Sequence, residues 1–596
     1  MSEVVLNRVA RLRELMRREK LDAFIFPSTD AHNGEYVPDH WKGREYISGF
    51  NGSAGTAVVT MDDAALWTDS RYFLAAGEQL KGTGYRLMKL KMEGTPTIAQ
   101  WLGQKLAPIN GAQVGVDGMV NSINTVRRLV AELRRRGGIT VRTNFDPLSV
   151  IWTDRPNIPQ DGVSILPLEY AGESAGSKLS RIRARMREKN VDGMLVSALD
   201  DIAWTLNMRG SDVRCNPVFV AYLLIGAEEA TLYIDEQKIS SGTVADYLRS
   251  VGVRTDHYNN VAKGIKAFGG YNILMDPDET SYTLYKAWGD RPIEEDKSPI
   301  PAMKAVKNPT EIEGYRRAMV SDGIAMVRFL RWLCPAVRRG GVTEMWVDKK
   351  LTSLRAEQPL FKGNSFDTIV GYGPHGAIVH YEATPESDVE LKPRGFVLID
   401  SGGQYMCGTT DITRTIALGE PTDEERHIYT LVLKGHIATE MCKFPANASG
   451  TQIDILARAA MWREGYNYLH GTGHGVGCFL NVHEGPHQVR MEWVAAPLKS
   501  GMTVTDEPGL YLAGKFGVRT ENTLLIKEYK TTEFGHFLEF EPLTLCPIDK
   551  TPIDRSMLRG EEVEWLDAYH RMVYEKLSPY LDEEEREWLK GACAPL

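Results

Sequence analysis

The sequence predicts two similar α/β domains followed by an α+β domain of mostly antiparallel strands. Three observations predict it. The first is an internal echo. RLRELMRREKLDAFIF, residues 11–26, and RIRARMREKNVDGMLV, residues 181–196, are each a basic amphipathic helix running through an aspartate into an apolar strand. The next elements echo too: residues 47–53 resemble 206–211, and the strand ending at Asp69 resembles the one ending at Asp235. The second is punctuation. Pro, Gly and Ser concentrate over residues 156–177 and again over 296–301, as linkers do. The third is a change of pattern from about residue 367 to 526, where short apolar strands alternate with Gly-rich turns. The domains expected are therefore 1–160, 161–300 and 301–596, the last with an extension from about 541.

The elements follow in order. Val5, Val9, Leu12, Leu15 and Met16 recur at helical spacing, so the N-terminus reads as a helix with one buried face. It has no continuous apolar stretch of the secretory kind. After the second linker, Asn308-Pro309-Thr310 opens a helix, with Thr310 as the expected cap and Glu313 as its box partner. That helix should run to about Leu333. The runs FDTIVGYG, GFVLIDSG, TTDITRTIAL, GMTVTDEPG and GVRTENTLLI are the expected strands. Helices are expected around 421–442, around 451–465 and from about Glu561.

Composition narrows the class. A hydrophobic fraction of 43% and a charged fraction of 25% are those of a globular protein with ample core. The net charge of -9 argues against nucleic-acid binding, which needs a basic surface. No apolar run approaches the roughly 20 residues needed to span a bilayer. Seven cysteines without a pairing pattern read as reduced thiols of a cytoplasmic protein.

Every candidate for chemistry lies in the third domain. Asp400 ends the strand VLID beside two glycines. Asp411 stands among Thr409, Thr413 and Thr415 on one face of an expected strand, where aspartate is disfavoured without a reason. His474 sits in the run from His470 to Gly477, in which glycines alternate with other residues and allow close backbone approach. Glu507 precedes Pro508. Arg519 and Glu521 are two residues apart, on one face of an expected strand, so Arg519 could orient the carboxylate. Singly, each could be an ordinary turn or solvated residue. Together, four carboxylates and one imidazole suit two divalent ions, Mn²⁺, Co²⁺ or Zn²⁺. The literal His-Glu-x-x-His of residues 483–487 is set aside, because Gly485-Pro486 breaks the helix that motif requires.

These motifs resemble those of the pita-bread metallopeptidases: Asp400 with Asp411, the glycine run around His474, Asn481 to Pro486, Asp506 to Gly509, and Arg519 to Asn522. Within that superfamily the chain is similar to the Xaa-Pro aminopeptidases of the large, three-domain, cytosolic type, over nearly its whole length. The resemblance implies creatinase-like N-terminal domains, a pita-bread catalytic domain, and release of an N-terminal residue that precedes proline. Attack by a hydroxide bridging two Mn²⁺ ions is implied. Asp411 and Glu521 would bridge the ions, Asp400 would hold one, and His474 and Glu507 the other, with Glu507 also moving the proton. His380, His470 and His483 would bind substrate or stabilise the oxyanion, with Arg519 beside them. A homodimer, a cytoplasmic location and peptides beginning Xaa-Pro as partners are implied as well, without nucleic acid or membrane. Two alternatives stay open: a prolidase acting on Xaa-Pro dipeptides, and a non-catalytic peptide-binding protein on the same scaffold.

Overall fold

A computed structural model describes residues 2–596. The chain forms two compact units. One runs up to Ile165 and includes Ser174–Ile300; the other joins Leu166–Glu173 to Pro301–Leu596.

The first unit begins with α1 (Ser2–Glu19), which buries the five expected residues, Val5, Val9, Leu12, Leu15 and Met16. Its first sheet has β1 (Ala23–Phe26), β2 (Thr56–Thr60), β3 (Ala64–Thr68), β4 (Arg86–Lys89), β5 (Gln113–Val116) and β6 (Thr140–Arg142), in the spatial order β4-β3-β2-β1-β5-β6. The period of two sorts the β1 side chains. Phe24 and Phe26 pack with α1 on one face, and Ala23 and Ile25 with Val114, Trp101 and Leu102 on the other. Covered on both faces, β1 is buried throughout, which is why it reads as an unbroken apolar run.

The second sheet repeats this plan with β7 (Gly193–Val196), β8 (Ala221–Gly226), β9 (Ala230–Ile234), β10 (Val253–Asp256), β11 (Ile273–Leu274) and β12 (Ile293–Glu294), in the order β10-β9-β8-β7-β11-β12. The pairing senses match strand for strand: antiparallel through the two central pairs and parallel towards both edges. The sequence echo is thus a repeat of topology.

The second unit is organised by α2 (Pro309–Arg339). The cap is one step earlier than expected. Asn308, not Thr310, accepts from the amides of Thr310 and Glu311, and Glu311 closes the box; Pro309 fits the first turn because its missing N–H has no partner to lose. The helix also passes Leu333 and continues through Pro335 to Arg339. Its Phe329 and Leu333 pack on an antiparallel sheet of β13 (Ile369–Tyr372), β14 (Phe396–Ser401) and β15 (Ile412–Ala417). After α3 (Asp423–Glu440) come β16 (Lys443–Pro445), α4 (Gly450–Trp462), β17 (Gly473–Gly475) and β18 (Glu484–Val489). They are followed by β19 (Thr503–Asp506), β20 (Gly509–Leu512), β21 (Phe516–Arg519), β22 (Asn522–Thr532) and β23 (Gly535–Pro542). A four-stranded antiparallel sheet runs β16-β23-β22-β19. The chain ends in α5 (Gly560–Leu577) and α6 (Glu583–Ala592). Among the described residues, no helix is long and apolar enough to cross a membrane.

Candidate metal centre

The site is built at strand ends, and register brings its residues together. In the antiparallel pair β19–β22, Asp506 lies opposite Asn522. Glu507, one step beyond the first, and Glu521, one step before the second, therefore project from facing positions. In the pair β14–β15, Asp400 lies opposite Thr413. Asp411 immediately precedes β15 and is not within a strand as the period of two suggested; the chain breaks pairing between Thr409 and Ile412. Nor do Arg519 and Glu521 share one strand: β21 ends at Arg519, and Glu521 stands in the turn before β22. These breaks free carboxylates from the alternation of a sheet and let them converge.

The convergence is tight. Ligand atoms of Asp411, His474 and Glu521 all lie within 4.8 Å of one another. His474 Nε2 is 3.4 Å from Asp411 Oδ2 and 3.6 Å from Glu507 Oε1. Its Nδ1 lies 2.9 Å from the Gly475 carbonyl and donates to it, so Nε2 is the nitrogen that faces the carboxylates. Asp400 accepts from Arg519 at 2.6 Å, while its Oδ1 is buried without a hydrogen-bond partner. Thr413 links the pieces: its hydroxyl donates to Glu521 Oε2 at 2.7 Å and accepts from Arg519 Nε at 3.1 Å.

Burial and crowding set the charge states. Burial raises the carboxyls of Asp400 and Glu521, and neighbouring carboxylates raise both further, although Arg519 opposes the rise at Asp400. Burial pushes Glu507 up to about 8 against the pull of His474 and Arg519. For His474, burial acts to lower the value, but the hydrogen bond to Asp411 and the charge of Glu507 prevail and lift it to about 9. Four carboxylates thus face one arginine and one imidazole. An anionic pocket with an unsatisfied oxygen at Asp400 and an aimed imidazole nitrogen fits hard divalent cations.

Two glycines of this run, Gly473 and Gly475, have a steric reason. A Cβ at Gly473 would sit 1.9 Å from the Thr505 carbonyl oxygen, and one at Gly475 2.4 Å from that of Glu484. Backbone, which cannot yield, is what they would strike. Gly473→Ala should force β17 off β19, displace His474 and cost about 100-fold or more in kcat/KM; steady-state kinetics on the purified variant check it.

Two of the expected histidines are tied to this pocket, His483 through His474 and His470 through Tyr511. The His483 ring meets that of His474 edge-on at 4.4 Å. His470 Nε2 is 2.8 Å from the Tyr511 hydroxyl, which also accepts from Arg519 at 2.8 Å. His380 follows Val379, whose carbonyl accepts from Arg519 at 3.4 Å. Arg519 is 1% exposed and directs its donors to Asp400, Thr413, Tyr511 and Val379, so the geometry supports the orienting role and not contact with substrate. Residues 483–487 are no helix: Glu484 opens β18 and the Gly485–Pro486 peptide is cis.

Two residues escaped the sequence reading. Tyr511 joins His470 to Arg519; the alternation in β20 places it, but nothing in a Leu-Tyr-Leu run marks it. Glu344, fully buried, accepts from the Tyr372 amide, the Tyr381 hydroxyl and His375, and so anchors the loop bearing His380. It lies too far away in sequence for spacing to reveal.

Residues 313–528 match metallopeptidase family M24, and 536–596 match the C-terminal region of that peptidase. Residues 8–148 and 154–311 each match the creatinase/prolidase N-terminal domain. A probable Xaa-Pro aminopeptidase P of Laccaria bicolor is 42% identical, over 99% of this chain and 93% of that protein. The chain belongs to the Xaa-Pro aminopeptidase P family. A second member, from Paracoccidioides brasiliensis, is 40% identical over 99% of both chains. The X-prolyl aminopeptidase of Caenorhabditis elegans, described as a cytosolic enzyme with a di-nuclear active site, superposes with a TM-score of 0.95 at 33% identity, covering 99% of this chain and all of its own. An Xaa-Pro dipeptidase from Bacillus anthracis covers 63% of this chain, with a TM-score of 0.51 at 27% identity. The fold is therefore the expected pita-bread arrangement, preceded along the chain by two creatinase-type domains, and the protein is a metal-dependent aminopeptidase acting on peptides.

Proposed function

We propose that this aminopeptidase releases the N-terminal residue from peptides with proline second, using two divalent ions, Mn²⁺ by preference, with Co²⁺ or Zn²⁺ as substitutes. The observation that carries the reading is the convergence of Asp411, His474 and Glu521 within 4.8 Å, in a chain that matches Xaa-Pro aminopeptidases end to end. Asp411 and Glu521 would be shared between the ions, with Asp400 on one and His474 and Glu507 on the other. Such ions, when bound, polarise a carbonyl and acidify water.

The chain's own residues do the rest. The Xaa-Pro bond offers no amide hydrogen to recognise, so the substrate must be held by its amine and carbonyl. Arg519 and Thr413 fix Asp400 and Glu521 so that the pocket is preorganised. Glu507, with 19% of its side chain exposed against 11% for Asp400 and 5% for Asp411, is the carboxylate that incoming water reaches most readily. It takes a proton on its carboxylate oxygen and returns it to the leaving proline nitrogen. His483 donates to the developing oxyanion, and His470 and His380 hold the substrate.

The domain division that goes with this reading is 1–160, 161–300 and 301–596, with the extension from about 541; two separate sheets in the first 300 residues support it. A cytoplasmic location follows the description of the Caenorhabditis elegans relative. A homodimer would cover large apolar side chains such as Trp493, 71% exposed, in the catalytic half.

Hydrolysis of a matched Xaa-Pro-Xaa tripeptide and Xaa-Pro dipeptide, with and without Mn²⁺, tests the substrate. The tripeptide should be cleaved at least about tenfold faster, the gap one or two lost contacts produce. Preference for the dipeptide would make the protein a prolidase. Cleavage of neither would point to a binding protein.

A further inference from the structure

Behind the carboxylates lies a second, sealed polar cluster that the proposed reaction does not use. His436 and Glu440 stand one turn apart on α3, facing Asp506. His436 Nδ1 is 3.0 Å from Asp506 Oδ2, its Nε2 is 3.2 Å from Glu440 Oε1, and none of the three side chains is exposed. Asn522 donates to Glu440 at 2.8 Å and accepts from Arg414 at 2.9 Å. Arg414 also donates to the main-chain oxygens of Glu521, at 2.6 Å, and Thr413, at 3.0 Å. The chain positions give this cluster its meaning. Asp506 immediately precedes Glu507, and Asn522 immediately follows Glu521. The ligand atoms of His436, Glu440 and Asp506 are close enough to suggest another cation site. They are closed to solvent, however, and Arg414 already supplies a counter-charge through Asn522. The arrangement is that of a brace.

The brace ends on the C-terminal extension. Trp565 of α5 lies edge-on to His436 at 5.8 Å and stacks on Tyr569 at 5.4 Å. The Tyr569 hydroxyl accepts from Arg414 at 3.0 Å. It lies 3.0 Å from the carbonyls of Thr544 and Cys546 and 3.2 Å from Asn522 Oδ1. An arginine can only donate, so the first bond has a fixed direction; the single phenolic proton then serves one of the three acceptors.

We propose that Tyr569 is a positioning residue for the metal centre, acting through Arg414 and Asn522 to fix where Glu521 stands relative to Glu507. The C-terminal helix is then a working part of the ligand geometry. This rests on the reading that Glu507 and Glu521 hold metal. Outer partners of metal-binding side chains are worth about 10–100-fold in affinity. Without the hydroxyl, Arg414 loses a buried acceptor and Asn522 is freer to turn.

The test is full-length Tyr569→Phe, with Mn²⁺ titrated calorimetrically into metal-free protein and the metal-free Tm recorded. The Mn²⁺ dissociation constant should rise about tenfold or more, with the metal-free Tm close to that of the parent. A lower metal-free Tm with the dissociation constant unchanged within about twofold, smaller than any outer-partner effect, would mean a purely structural role and overturn the proposal. Asp411→Asn separates the two failures. If it binds Mn²⁺ like the parent, the metal reading is wrong; if it loses Mn²⁺ while Tyr569→Phe keeps it, only the positioning role falls. Should Tyr569→Phe not fold, the unaltered protein carries the test. Because coupling is reciprocal, Mn²⁺ should slow amide exchange over residues 565–569 more than over α6, and equal slowing in both would overturn the inference.

Discussion

Glu507→Gln should lower turnover on saturating peptide about a thousandfold, within the range that a positioned proton carrier contributes. The substitution keeps the shape of the side chain. It also keeps the main-chain bond from the Glu507 amide to Thr472, at 2.7 Å, so β19 and the turn into Pro508 stay as they are. What it removes is a charge and a site that can take and return a proton. A glutamine amide oxygen can still accept a hydrogen bond but does not carry a proton between water and the leaving nitrogen. Glu507 also lies 3.6 Å from His474 Nε2, the ligand with which it would share an ion. Loss of one ion is therefore an expected companion effect, and metal content must be measured with kcat. A fall in kcat at full metal occupancy assigns proton transfer to Glu507. Near-parental turnover at full occupancy would remove Glu507 from the reaction.

The fold was largely legible because its largest signals are repetitive. The period of α1, the two helix–strand echoes and the glycine-punctuated strands each leave a pattern in the chain, and each corresponds to an element observed. The helix cap at Asn308 was misplaced because Thr310 and Glu313 satisfy the same spacing rule as Asn308 and Glu311; only the direction of the amides distinguishes the two boxes. The breaks at Asp411 and Glu521 were hidden because a carboxylate flanked by threonines or by Arg and Asn fits strand periodicity equally well. Departure from a regular strand is what lets these two side chains meet His474, so the local rule failed where the site is built. Tyr511, Glu344, Arg414 and Tyr569 were illegible for a different reason. They act by contacts across 8 to 155 residues of chain, and no local pattern encodes such a partner.

Stripping the metal should abolish peptide hydrolysis and also loosen the catalytic half. The pocket holds Asp400, Asp411, Glu507 and Glu521 against Arg519 and His474, and burial already disfavours charge on three of the carboxylates. Cations that bind only the folded pocket stabilise it by an amount that grows with the logarithm of their free concentration over the dissociation constant, about 2.7 kcal/mol at a hundredfold excess. For a unit of roughly 300 residues, with an unfolding entropy of about 2.1 cal/mol/K per residue, that corresponds to roughly 4 °C in Tm. A chelator should therefore lower Tm by about that amount at saturating starting metal, and Mn²⁺ added back should restore both Tm and turnover. Asp411→Asn should mimic the chelated protein even with metal present, because it removes the carboxylate that lies 3.4 Å from His474 Nε2 and shares a 4.8 Å cluster with Glu521. The two treatments should not add, since each empties the same pocket. If chelation to below one equivalent of metal left turnover and Tm unchanged, these carboxylates would have some purpose other than holding cations, and the proposed reaction would have no source for its acidified water.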